Sequence, residues 1–294
     1  MADNSLINLG ELSKPATVLI EKISDAIGEV FKPYQIVRVA KAEAIADRLK
    51  AEGQIEITDL QRRAFHRFLQ EEARKQTNIE DITKSALPEL KEDAKPDQLE
   101  EDWIANFFDR CRLISDQEMQ RLWSRVLAGE ANAPGTYSKR TVNFLSDLDK
   151  SDAELFTRLC SFGWVIGSVV PLIYDAQAEI YNQQGINFGT LSHLASIGLI
   201  QFENIAGFQR LRLPKNFIVF YYGEQVSLEM PKESDNSMDL GKVLLTKIGQ
   251  ELAPISGSQP ADGFLDFVRE KWKALKYIKE EKAEQSAQAI SDSA

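Results

Sequence analysis

The side chains able to do chemistry are few and scattered. Among 294 residues the only histidines are His66 and His193, and the only cysteines are Cys111 and Cys160. Neither histidine has cysteine, histidine or carboxylate at a ligand spacing, and the cysteines form no CxxC pair. The several convergent ligands of a structural zinc are therefore not expected. No GxxxxGK[ST], no strand-linked GxGxxG and no HExxH is present. Both cysteines fall inside helical apolar patterns and read as buried, reduced thiols. Asp109, Asp116 and Glu118 gather near one helix junction, where acids more often serve caps and helix dipoles than proton transfer. No catalytic, cofactor-binding or metal-ligating residue is assigned, no cofactor is expected, and a non-enzymatic role is favoured. Acids assembled from distant segments stay open as a hydrolytic metal site.

Positive charge is the other candidate. The net charge of −10, with 43% apolar and 27% charged residues, argues against broad electrostatic binding to nucleic acid but leaves a local basic patch open. Arg62, Arg63, Arg67 and Arg74, with Lys75, make the best basic face, interspersed with Glu71 and Glu72. Arg210, Arg212 and Lys215 fall on later strands. These arginines and Lys215 are the candidate nucleic-acid contacts. The helix that would enter a groove reads INFGTLSHLASIGL and offers no Lys or Arg of its own, although phosphate contacts supply most of the usual affinity.

The elements that must position these side chains are mostly helical. Residues 1–14 read as a flexible start. An N-terminal helical region over 15–88 begins at Pro15, with Leu19, Ile23, Ala26 and Ile27 inward. A helix over Tyr34–Ala51 follows, then a capping box at Thr58–Gln61 with Leu60, Ala64, Phe65, Phe68 and Leu69 inward, then a short helix from Ile79 to Leu87. LKEDAKPDQ reads as a linker. The central core, 98–174, has Trp103, Phe107, Leu122, Trp123, Val126 and Leu127 at helical spacing. Boxes at Ser115 and Ser151, a cap at Ser138 and a C-cap at Gly129 mark its helices. Cys160–Tyr174 reads as a buried helix, too short to span a membrane.

From Asp175 the pattern turns to two short helices and then alternating strands. This predicts a winged-helix-like domain over 175–256 whose tip is the polar PKESDNSMD. A long helix over 258–283, opened by Ser258 or Asp262, and a disordered tail over 284–294 complete the chain. The fold class expected is mostly α with a smaller α+β part.

Two phrases carry a family resemblance, AIGEVFKPYQIVRVAKAEA and EEDWIANFFDRCRLISDQEMQRLWSRVLAGEANAPGTYSKRT. Together they resemble an uncharacterised bacterial protein family of unknown function. That family is similar in turn to the abortive-infection alpha proteins, through Leu122-Trp123 and the following Leu-Ala-Gly-Glu, Pro-Gly and Lys-Arg-Thr elements. The resemblance implies a cytosolic bacterial protein and, more loosely, a place in phage defence. It carries over no catalytic residue. MADNSLINLG has no basic start or apolar core of a signal peptide, and a cytoplasmic location is expected. The reading favoured is an interaction or regulatory protein that takes a protein partner or forms a homo-oligomer. A nucleic-acid-binding winged-helix regulator is the alternative, and a membrane-active effector using residues 15–51 is the second.

Overall fold

A computed structural model describes residues 12–28 and 59–278. The helix expected over Tyr34–Ala51, the cap residue Thr58 and the segments 1–11 and 279–294 lie outside the described residues. Two compact units divide the chain, Met1–Leu148 and Asp149–Ala294. Residues 149–174, grouped with the central helices by their sequence, fold with the strands that follow them.

In the first unit, α1 (Lys14–Ile27) opens where the Ser13 hydroxyl accepts the Ala16 N–H, with Pro15 in the first turn. It buries Leu19, Ile20 and Ile23. α2 (Asp59–Ala86) is one helix of 28 residues, where two were expected. No proline or glycine stands between its ends, so nothing interrupts the hydrogen-bond ladder before Pro88. Its apolar stripe is covered only in part: Ile82 and Ala86 are buried, whereas Leu60, Phe65 and Phe68, expected inward, are exposed.

α3 (Glu101–Cys111), α4 (Gln117–Asn132) and α5 (Lys139–Ser146) enclose the aromatic core. Trp103 stacks on Phe107, and Phe107 meets Trp123 edge-on, each pair with centroids 5.1 Å apart. These rings are buried, as their spacing predicts. The cap of α4 is Asp116, not Ser115. Its carboxylate accepts the N–H groups of Glu118 and Met119 at 3.0 and 3.1 Å. The presumed C-cap Gly129 lies inside α4, which continues to Asn132. The expected linker is docked: the Lys91 N–H donates to Asn132 Oδ1 at 2.8 Å, and the Lys95 N–H to the Ala131 carbonyl at 2.8 Å.

The second unit starts with α6 (Lys150–Cys160), whose N-cap position is Asp149 and not Ser151, and no side chain caps it. The expected helix at Cys160–Tyr174 is instead a hairpin, β1 (Gly163–Ile166) and β2 (Ser168–Pro171). Between Val165-Ile166 and Ser168-Val169-Val170 stands Gly167, whose φ of 77° is open to glycine and costly for other residues, so the chain reverses there. α7 (Glu179–Asn182) and α8 (Phe188–Ser196) follow. A box between Asn187 and Thr190 that was not foreseen caps α8.

The remaining strands are nested. β3 (Ile200–Phe202) pairs with β8 (Val243–Leu245), and β4 (Phe208–Leu213) with β7 (Asn236–Gly241). Innermost is the hairpin of β5 (Asn216–Tyr221) and β6 (Glu224–Glu229), which joins the first hairpin in an antiparallel sheet of order β2-β1-β5-β6. β7 begins inside the stretch expected to be a polar tip, because buried Asn236 donates to the Leu213 and Lys232 carbonyls at 3.2 and 2.8 Å. α9 (Lys247–Leu252) is capped by Thr246, whose hydroxyl accepts the Gly249 N–H. α10 (Phe264–Ala274) opens at Gly263, later than the expected Ser258 or Asp262, and stops well short of the expected end at 283, with Lys276 at φ 60° just beyond it. One face of the four-stranded sheet packs on α10: Trp164 stacks on Tyr221 at 5.0 Å and meets Trp272 edge-on at 4.6 Å. The fold is mostly α with a smaller α+β part.

Candidate interaction surface

The two faces of the four-stranded sheet differ in what covers them. Residues alternate between faces along a strand. Trp164, Ile166, Val219, Tyr221, Val226 and Leu228 all point to the buried side. On the other side Val165 is 42% exposed, Ile218 50% and Phe220 40%, and Tyr222 just beyond β5 is 41% exposed. They adjoin one another. Val165 is directly opposite Phe220 across the β1–β5 pair and opposite half-buried Val169 across the β1–β2 pair. A hollow of about 260 Å³ opens at this end, between Val165, Val169, Phe220 and Tyr222 and a wall at Pro254. The Tyr222 hydroxyl is fixed there, 3.0 Å from the Cys160 carbonyl, to which it donates, and 2.6 Å from the Ser258 hydroxyl.

A second concave feature lies at the edge of the same sheet. An open groove of about 1340 Å³ runs between β6 and α10, lined by Gln225, Ser227 and Glu229 on one side and Arg269, Glu270 and Lys273 on the other.

The candidate nucleic-acid contacts fall into two sets, one in each unit. Arg62, Arg63, Arg67 and Arg74 are all exposed on α2. By their spacing, Arg63, Arg67 and Arg74 share a side and Arg62 is turned away. Acids one turn away balance two of them: Arg63 pairs with Asp59 at 3.2 Å and Arg67 with Glu71 at 3.5 Å. In the second unit, Arg210 donates from its guanidinium to the Ile166 carbonyl and lies against Gly167. Arg212, at φ 59°, is exposed in the irregular part of β4. Lys215 sits in the turn after β4, paired with Glu233 at 2.6 Å, which holds its ammonium above its ordinary pKa. α8 exposes Phe188 and His193 and carries no cation of the Lys or Arg type.

His193 does acquire a carboxylate that its neighbours in sequence lack. Its Nε2 lies 2.8 Å from Asp152 Oδ1 on the first turn of α6. Both thiols are buried, and burial pushes the Cys160 thiol up to about 12 and the Cys111 thiol higher still. Neither is a nucleophile in this environment. Among the described residues no group of three or more His, Cys, Asp or Glu side chains could hold a metal ion. Among them, too, no helix is long and apolar enough to cross a membrane.

Sequence reasoning missed the sheet face and the His193–Asp152 pair. The pair spans 41 positions and had no local signal. The face had one: Phe217–Tyr222 is apolar at every position, so a strand there must present apolar side chains on both sides.

A family model described as a protein of unknown function (DUF2806) matches residues 62–269. No curated protein and no solved structure matches the chain.

Proposed function

Since the chain belongs to the DUF2806 family of proteins of unknown function, we propose from its geometry that it is a non-enzymatic interaction protein. It binds a protein partner through the uncovered face of the four-stranded sheet. The observation that carries this is the continuous apolar row of Val165, Phe220, Ile218 and Tyr222 in water. An antiparallel sheet with one packed face ordinarily carries polar side chains on the other. Exposed, contiguous apolar surface of this kind marks interaction sites.

The order α6, α7, α8, β3 and β8 supports a winged-helix-like unit whose wing is enlarged by the β4–β7 pair and the β5–β6 hairpin. A cytoplasmic bacterial location and a part in phage defence belong to the same reading and rest on the resemblance to the abortive-infection alpha proteins. Nucleic-acid binding has less support. Its candidate cations are paired with acids or with main chain at Arg63, Arg67, Arg210 and Lys215, and α8 brings none. The membrane-active alternative also weakens, because the apolar face of α1 is spent on packing within the first unit.

The test is a benzophenone amino acid in place of Phe220, with the same group at exposed Glu203 as the control. Irradiation in the host should give one discrete adduct from position 220 and none from 203. Identical, diffuse labelling from both positions would refute the reading.

A further inference from the structure

β6 is an edge strand whose main chain is half used. Met230 donates to the Lys215 carbonyl at 2.6 Å, which sets the phase of the β5–β6 ladder. In that phase Phe217 and Leu228, then Val219 and Val226, exchange main-chain bonds. Gln225, Ser227 and Glu229 turn their N–H and C=O groups away from β5. The outward N–H of Glu229 is taken, because it donates to the Tyr277 carbonyl at 2.8 Å. Gln225 and Ser227, at the same phase and exposed, have no further main-chain partner among the described residues. Beside this edge runs the groove against α10. In it Lys273 is paired with Glu270 at 2.8 Å, whereas half-buried Arg269 has no acidic partner among the described residues.

We propose that this groove receives an extended, acid-bearing peptide segment of a partner protein. The segment adds to β6 as a fifth strand and sets a carboxylate against Arg269. The proposal rests on the interaction reading and names a partner chemistry for it. The Tyr277 carbonyl already forms the first rung, so the edge accepts a strand in this position. An added strand supplies matching donors and acceptors for Gln225 and Ser227 whatever its sequence, and side-chain contacts set the preference. A half-buried guanidinium without a counter-charge favours a peptide acid and disfavours a peptide lysine.

A random heptapeptide library displayed on phage, selected against the full chain and against its Arg269→Glu variant, tests this. The full chain should enrich β-branched or aromatic residues alternating with polar ones, with Asp or Glu at one fixed position. Arg269→Glu should replace that acid with Lys or Arg, and Arg269→Gln should erase the preference. The enriched peptide should bind Arg269→Glu about tenfold more weakly. It should slow amide exchange at Gln225 and Ser227, and its backbone-N-methylated form should not bind. Several outcomes would overturn the proposal: no consensus, a consensus without an acid, or one unchanged by Arg269→Glu. So would amides at Gln225 and Ser227 that exchange slowly before any peptide is added, since the chain itself would then cover the edge. A dimer that protects the same amides as concentration rises would make a second copy the occupant. Ile218 borders both the groove and the sheet face, but Phe220, which carries the photolabel, and Val165 lie outside the groove lining, so failure here and failure of adducts at position 220 are separate results.

Discussion

Gly129 faces the ring of Tyr137 so closely that a β-carbon on it would stand 2.6 Å from Cε2. The same stretch ties three more knots. Glu130, one residue on, accepts the N–H groups of Gly135 and Tyr137 at 2.7 Å each. Trp103 donates from its indole to the Tyr137 carbonyl at 2.8 Å. Ser138 then caps α5 through the Thr141 N–H at 3.3 Å. The elements Leu-Ala-Gly-Glu, Pro-Gly and Lys-Arg-Thr that carry the family resemblance thus fold into one braced turn. Their residue types are explained by close approach, acceptance of backbone donors and capping.

Gly129→Ala should destabilise the first unit by about 1–3 kcal/mol. In a helix alanine would normally gain about 1 kcal/mol over glycine. Here the methyl must displace a buried ring whose main chain is anchored on both sides. Urea unfolding measures the loss, and adding Tyr137→Leu should recover part of it, because the two sites share one space.

Glu130→Ala should be worse than an ordinary surface substitution. It strands the N–H groups of Gly135 and Tyr137, at about 1–3 kcal/mol for each donor that water does not reach. Glu130→Gln keeps one acceptor and should fall between. Equal stability of the two variants in a denaturant titration would contradict the two-donor geometry.

Trp123→Ala should cost about 3–5 kcal/mol. Trp123 is fully buried and meets Phe107 edge-on. A change within about half a kcal/mol would be the behaviour of a surface side chain.

Alkali should loosen the second unit. Burial pushes the Cys160 thiol from 9.0 up to about 12 and the Tyr221 phenol from 10.0 up to about 12. Above pH 9 the unfolded chain loses these protons while the native chain keeps them, so unfolding gains with rising pH. Their contribution is whole below about pH 9 and is lost as pH climbs toward 12. The urea midpoint should hold steady from pH 7 to about 8.5 and fall thereafter. Ellman's reagent at pH 8 should label neither thiol until denaturant is added.

By itself the sequence determined α1 and the three helices of the aromatic core, the burial of Trp103, Phe107 and Trp123, and the cap at Ser138. Those signals are local: a stripe repeats every three or four residues, and a cap and its donor lie within one turn. It also determined that the chain lacks the short motifs of zinc and nucleotide chemistry. Only the tertiary structure decided what Cys160–Tyr174 becomes. A short apolar run satisfies a helix or a strand equally, and the pairing of Val165 with Phe220 settles it across a sequence separation of 55 (220 − 165). The interaction surface has the same origin. Val165, Ile218 and Phe220 look like core residues in sequence, and Arg269 looks like one more exposed charge. Which face of a sheet stays wet, which strand ends at an edge and which cation lacks an acid depend on residues far apart in the chain, and no local pattern encodes them.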